Sequence, residues 1–126
     1  MDKTRGKESR ELIGAVRRYC RMGLNGKKHT GFERVDIIKG YYKNDQWRAK
    51  RLLAVYILLL LLKVEEKEEE YKILLFVSEN MGKSNMRKSL TFWIVRYARL
   101  NFFDERTVYR RWSYILASYR RIIERM

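Results

Sequence analysis

The chain is predicted to be all-α, a compact helical domain of about six helices ending in a helix-turn-helix, and three features of the sequence carry that prediction. Proline is absent. Leu, Arg, Lys and Glu, all strong helix formers, dominate the composition. Apolar residues recur at steps of three and four, with no stretch alternating as a strand would. A chain of 126 residues is about one domain long and buries a core without cross-links. Residues 1–126 are therefore read as a single helical domain, with 71–126 as its helix-turn-helix portion.

A first helix is expected over 9–22, where Leu12, Ile13, Ala15, Val16, Tyr19 and Cys20 form an inward stripe and Gly23 ends it. Arg17, Arg18 and Arg21 crowd the last turn, where a helix C-terminus favours cations; their first reading is solvated charge. Residues 24–30 read as a mobile loop. Thr30 followed by Glu33 has the form of a capping box, so a short second helix should carry Phe32, Val35, Ile38 and Tyr42 toward the core. Asn44 or Asp45 can cap a third helix that reaches about Lys63 and is apolar on its whole circumference from Leu52 onward, which places it at the centre. The uncharged run 52–62 is shorter than the roughly 17–25 residues of a spanning helix, so it is read as core and not as membrane.

The segment 65–70 holds five glutamates and one lysine and reads as a solvated hinge or the acidic first turn of the next helix. Apolar periodicity returns over 71–81 until Gly82 stops it, and Ser84 or Asn85 restarts the chain. A fifth helix is expected over 86–100, with Leu90, Trp93, Ile94, Tyr97 and Ala98 on one face. A sixth follows over 105–125 behind the cap Asp104, packed through Val108, Trp112, Ile115, Leu116, Tyr119, Ile122 and Ile123. Asn101 tolerates the left-handed conformation that the turn between them requires.

The net charge of +14 is unevenly spread: residues 1–51 carry 15 basic and 6 acidic groups, 52–82 carry 3 and 6, and 83–126 carry 11 and 3. Two basic ends around a mildly acidic middle suit anionic partners. At 100° per residue the last helix collects Arg106, Arg110, Ser113, Tyr114 and Ala117 opposite its packed stripe. Arginines bond guanine edges or phosphates, hydroxyls bond either, and small residues allow close approach. A basic helix placed second across a short turn enters the major groove N-terminal end first. The candidate DNA contacts are accordingly Arg106, Thr107, Arg110, Arg111 and Tyr114, joined by Lys83, Arg87 and Lys88 as phosphate contacts at the start of the supporting helix.

The run Asp104-Glu105-Arg106-Thr107-Val108-Tyr109-Arg110-Arg111-Trp112 resembles the recognition-helix entry of RinA/ArpU-type phage transcriptional regulators, whose helix-turn-helix is like the promoter-reading region of sigma factors. The likeness covers roughly residues 71–126. It implies transcription regulation of late phage genes in the cytoplasm of a bacterial host, with double-stranded DNA as ligand and RNA polymerase as partner. A homodimer would fit paired half-sites.

No enzyme is expected, because no phosphate-binding glycine loop, nucleophile elbow or paired acidic motif is present. No cofactor or metal is expected either, since His29, the only histidine, lacks ligands at metal spacing. Nothing at the start resembles a signal peptide, and the single Cys20 suits a reducing compartment and a packing role. Two other classes stay open. One is an RNA-binding protein stacking bases on Tyr41, Tyr42 and Tyr114. The other is a small phage-encoded inhibitor that binds a host protein such as RNA polymerase or a nucleic-acid-guided nuclease.

Overall fold

A computed structural model describes residues 3–26, 28–83 and 88–126 of the chain. They form helices α1 (Lys3–Arg21), α2 (Gly31–Tyr41), α3 (Gln46–Val64), α4 (Glu68–Lys83), α5 (Leu90–Leu100) and α6 (Glu105–Arg125), with no strand among the described residues.

Helix α1 begins earlier than position 9 because tertiary contacts hold its first turns. Trp112 Nε1 donates to Ser9 Oγ at 3.0 Å, both groups being buried, and Arg120 meets Glu8 at 3.4 Å. Gly23 ends the helix as predicted. It takes a left-handed φ of +73°, and the N–H groups of Gly23 and Leu24 return to the carbonyls of Cys20 and Tyr19. Cys20, placed in the inward stripe by periodicity, is instead exposed and lines an open hollow with Arg17, Arg21, Leu75, Ser78 and Glu79. The following loop is better anchored than its composition suggests: Leu24 is fully buried, Tyr71 OH donates to Asn25 at 3.4 Å, and the Arg34 guanidinium donates to the Gly26 carbonyl.

The capping box of α2 forms, with Thr30 Oγ1 accepting from Glu33 N–H and the Glu33 carboxylate accepting from Thr30 N–H. Gly31 lies so close to α3 that a Cβ there would meet Tyr56 OH at 2.5 Å. Phe32 does not reach the core as predicted; it is 88% exposed, because α2 presents only a narrow face to α3 and Ile38 alone of its residues is buried.

Asp45 caps α3, its carboxylate accepting from both the backbone and the guanidinium of Arg48, and these bonds hold its pKa below the ordinary carboxylate value. Helix α3 packs against α1, α2, α4 and α6, α4 against α1, α3, α5 and α6, and α6 against α1, α3, α4 and α5, so these three make the hub of the fold. The expectation that α3 is buried on all sides fails at its C-terminal end, where Leu60, Leu61 and Val64 face outward. No helix among the described residues is long and apolar enough to cross a membrane.

A single apolar cluster draws on every helix, from Leu12 and Val16 through Ile38, Leu52, Leu58, Ile73 and Leu74 to Ile94, Ile115 and Tyr119. All seven residues predicted for the packed stripe of α6 belong to that cluster or pack against it. Helix α4 runs on through Gly82 to Lys83, whereas the sequence predicts a stop at Gly82. Helix α5 starts at Leu90 behind the cap Ser89, not at 86, and its N-cap hydroxyl accepts from Phe92 N–H. The predicted restart at Ser84 or Asn85 lies outside the described residues.

Candidate nucleic-acid interface

Helices α5 and α6 pack on each other and are joined by residues 101–104. The chain reverses through a C-terminal motif in which Phe103 N–H donates to Ala98 O at 2.8 Å and Phe102 N–H to Arg99 O at 3.5 Å. The left-handed residue is Phe102, at φ +59°, and not Asn101, which keeps φ −111° and donates its side-chain amide to Tyr97 O. Asp104 then caps α6 by accepting from Arg106 N–H at 2.8 Å.

Packing of Val108, Trp112, Ile115, Leu116 and Tyr119 inward turns Arg106, Arg110, Ala117 and Arg121 outward along one line of α6. Arg106 and Arg110 are exposed and have no ion pair among the described residues. Thr107 is half-buried and spends its backbone N–H on Asp104 O.

The remaining predicted contacts of α6 are turned toward α4 and the segment before it. Arg111 Nη1 donates to Glu70 Oε1 at 3.1 Å, and the guanidinium lies 5.5 Å from the Phe103 ring centroid. Glu70 is only 6% exposed, so this arginine neutralises a buried carboxylate. Tyr114 OH donates to Glu65 Oε2 at 2.7 Å, and that bond, more than burial, raises its pKa. Tyr97 OH donates to Glu69 Oε2 at 2.8 Å, and burial together with that bond raises its pKa as well. The acidic run is, as predicted, an exposed turn at Glu65 and Glu66 followed by the acidic first turn of α4, and three of its carboxylates also have partners on α5 and α6. Its left-handed Glu66, φ +58°, folds the chain back so that Glu65, Glu69 and Glu70 meet α5 and α6. These acids compensate the inner side of the basic helix, while Arg106 and Arg110 on its outer side have no ion pair among the described residues.

Of the supporting cations, Lys88 is exposed, precedes the α5 cap directly and sits 5.0 Å over the Phe92 ring. Lys83 is the last residue of α4 and so does not start α5. Arg87 lies outside the described residues. Sequence reasoning passed over Arg121, which continues the outer line of α6, and Arg96 and Arg99, both exposed on α5. The same 100° arithmetic that picks out Arg106 and Arg110 also picks out Arg121.

Tyr41 is exposed and its ring lies 4.9 Å from that of Tyr42, which is itself half-buried against the core. His29 Nδ1 pairs with Glu33 at 3.2 Å, and no group of three or more potential metal ligands occurs among the described residues. Compared with protein-family models, with curated proteins and with solved structures, the chain finds no match.

Proposed function

We propose that the protein binds double-stranded DNA with sequence preference, using α5 and α6 as a helix-turn-helix with α6 in the major groove, and that it regulates transcription in the manner of the phage regulators its C-terminal half resembles. The observation that carries the reading is the division of charge on α6. Arg111 is committed to a buried acid, whereas Arg106, Arg110 and Arg121 share an outward line next to the small Ala117. Arg106 and Arg110 stand in the first turns, the part of a recognition helix that reaches base edges. RNA polymerase and a second copy of the chain are the protein partners that accompany this role.

The test is binding to duplex DNA across a salt series, with R106A/R110A beside the unaltered protein. Loss of two phosphate contacts should lower the slope of log K against log salt by about 2. If Arg106 instead contacts guanine, R106A alone should reduce discrimination between sites by about 1–3 kcal/mol. Affinity and slope unchanged in the double variant would overturn the assignment of α6. Absence of any duplex binding at physiological salt would shift the reading to a protein-directed inhibitor.

A further inference from the structure

A second basic surface lies at the other end of α6. Lys39, Tyr42 and Lys43 of the α2 side face Gln46, Ala49, Lys50 and Leu53 of α3 across an open hollow of about 490 Å³, closed at one end by Met126. Its floor is apolar, because Ala49 is buried and Tyr42 and Leu53 pack against the core. Its rim carries three lysines, and no Asp or Glu is among the residues that line it. The nearest acid in sequence, Asp45, is tied to Arg48 at 2.7 Å.

Two large aromatic rings flank the hollow in sequence and stand out into solvent: Tyr41, 73% exposed, and Trp47, 56% exposed. Each is held in place. Tyr41 rests against Tyr42, and Arg51 lies 3.7 Å from the Trp47 ring centroid and donates to the Trp47 carbonyl. Tyr41 touches Tyr42 of the hollow, and Trp47 is next in the chain to its Gln46; exposed rings near lysines that have no ion pair among the described residues are the two elements of a surface that takes phosphates by charge and bases by stacking. Duplex DNA offers phosphates but keeps its bases stacked on each other, so rings of this kind select a strand whose bases are free.

We propose that this α2–α3 corner is a binding site for single-stranded nucleic acid, with Lys39, Lys43 and Lys50 on the phosphates and Tyr41 and Trp47 stacking on bases. The site is independent of the reading of α6. Arg106 lies in the first turn of a 21-residue helix and Met126 follows its last, which places Arg106 about 30 Å along the helix from this corner at 1.5 Å per residue.

The experiment is titration of the whole protein with a ten-residue oligothymidylate, followed by tryptophan fluorescence and by anisotropy of a labelled strand, in K39A/K43A/K50A, Y41A, W47A and R106A/R110A. The unaltered protein should bind with quenching. The triple lysine variant should bind at least tenfold more weakly, with a salt slope smaller by about 2, at roughly 0.7 per phosphate on a single strand. Y41A and W47A should each lose about tenfold, as removal of one stacked base does, and W47A should lose the quenching. The replaced side chains are exposed or half-buried, and melting curves verify that the variants fold. R106A/R110A should bind the single strand as the unaltered protein does. The proposal is overturned if the oligonucleotide does not bind, if it binds equally well to the triple lysine variant, or if R106A/R110A abolishes binding.

Discussion

Replacing Arg111 with methionine should unfold the protein at a distinctly lower temperature, and the structure supplies the size of the effect. Glu70 is buried, and Arg111 Nη1 donates to it at 3.1 Å; the side chains are 8% and 33% exposed, respectively. Removing the cation strands a carboxylate that water does not reach, a change worth about 3 kcal/mol. Spread over 126 residues, at an unfolding entropy near 2.1 cal/mol/K per residue, this corresponds to roughly 11 °C in Tm. Glu70→Gln should cost less, about 1 kcal/mol, because the Arg111 guanidinium left behind is one-third exposed and still finds water. The double variant should be less destabilised than the sum of the singles, since neither charge is then stranded. Thermal and urea unfolding followed by circular dichroism measure all three. The same proteins, held well below their Tm, should retain duplex affinity. A Tm change under about 2 °C for Arg111→Met, together with a loss of duplex binding as large as that of R106A, would refute the structural assignment and return Arg111 to the DNA surface.

Three further outcomes follow from individual contacts. Phe102→Gly should stabilise the protein by about 1 kcal/mol, as glycine adopts positive φ without the steric cost of a Cβ, and the side chain removed is 96% exposed; a lower Tm would show that Phe102 has a structural contact. Ser9→Ala should cost about 1–2 kcal/mol by leaving the buried Trp112 Nε1 without an acceptor, which chemical denaturation reads directly. Alkaline titration should give two classes of tyrosine. Burial pushes Tyr19 up from 10.0 to about 12 and raises Tyr119 also, so the folded protein keeps these protons where the unfolded chain releases them. Stability is therefore intact below pH 10 and falls as the pH rises toward 12. Tyrosinate absorbance from the buried rings should appear together with loss of helix, and a single early ionisation of all tyrosines in the folded state would refute this account.

Most of the helical framework is legible in the sequence because its determinants are local. The Thr30 and Glu33 capping box, the Asp45 and Asp104 caps and the left-handed Gly23 all act within about one helical turn, and the apolar stripe of α6 is a periodicity that survives whatever packs against it. Where local signals are weak, tertiary contacts decide. Helix α1 gains turns that Ser9 and Glu8 anchor on α6.

For the candidate interface, the sequence by itself determined that α6 is basic and which residues lie opposite its packed side. Only the tertiary structure decided which arginines are free to meet a ligand, because that depends on acids distant in sequence. Glu70 and Arg111 stand 41 positions apart, and Glu65 and Tyr114 stand 49 apart. Helical periodicity orders residues around one axis but carries no information about which other helix lies against each side. The fold of α4 against α6 therefore divides one basic helix into a neutralised inner side and an exposed outer one.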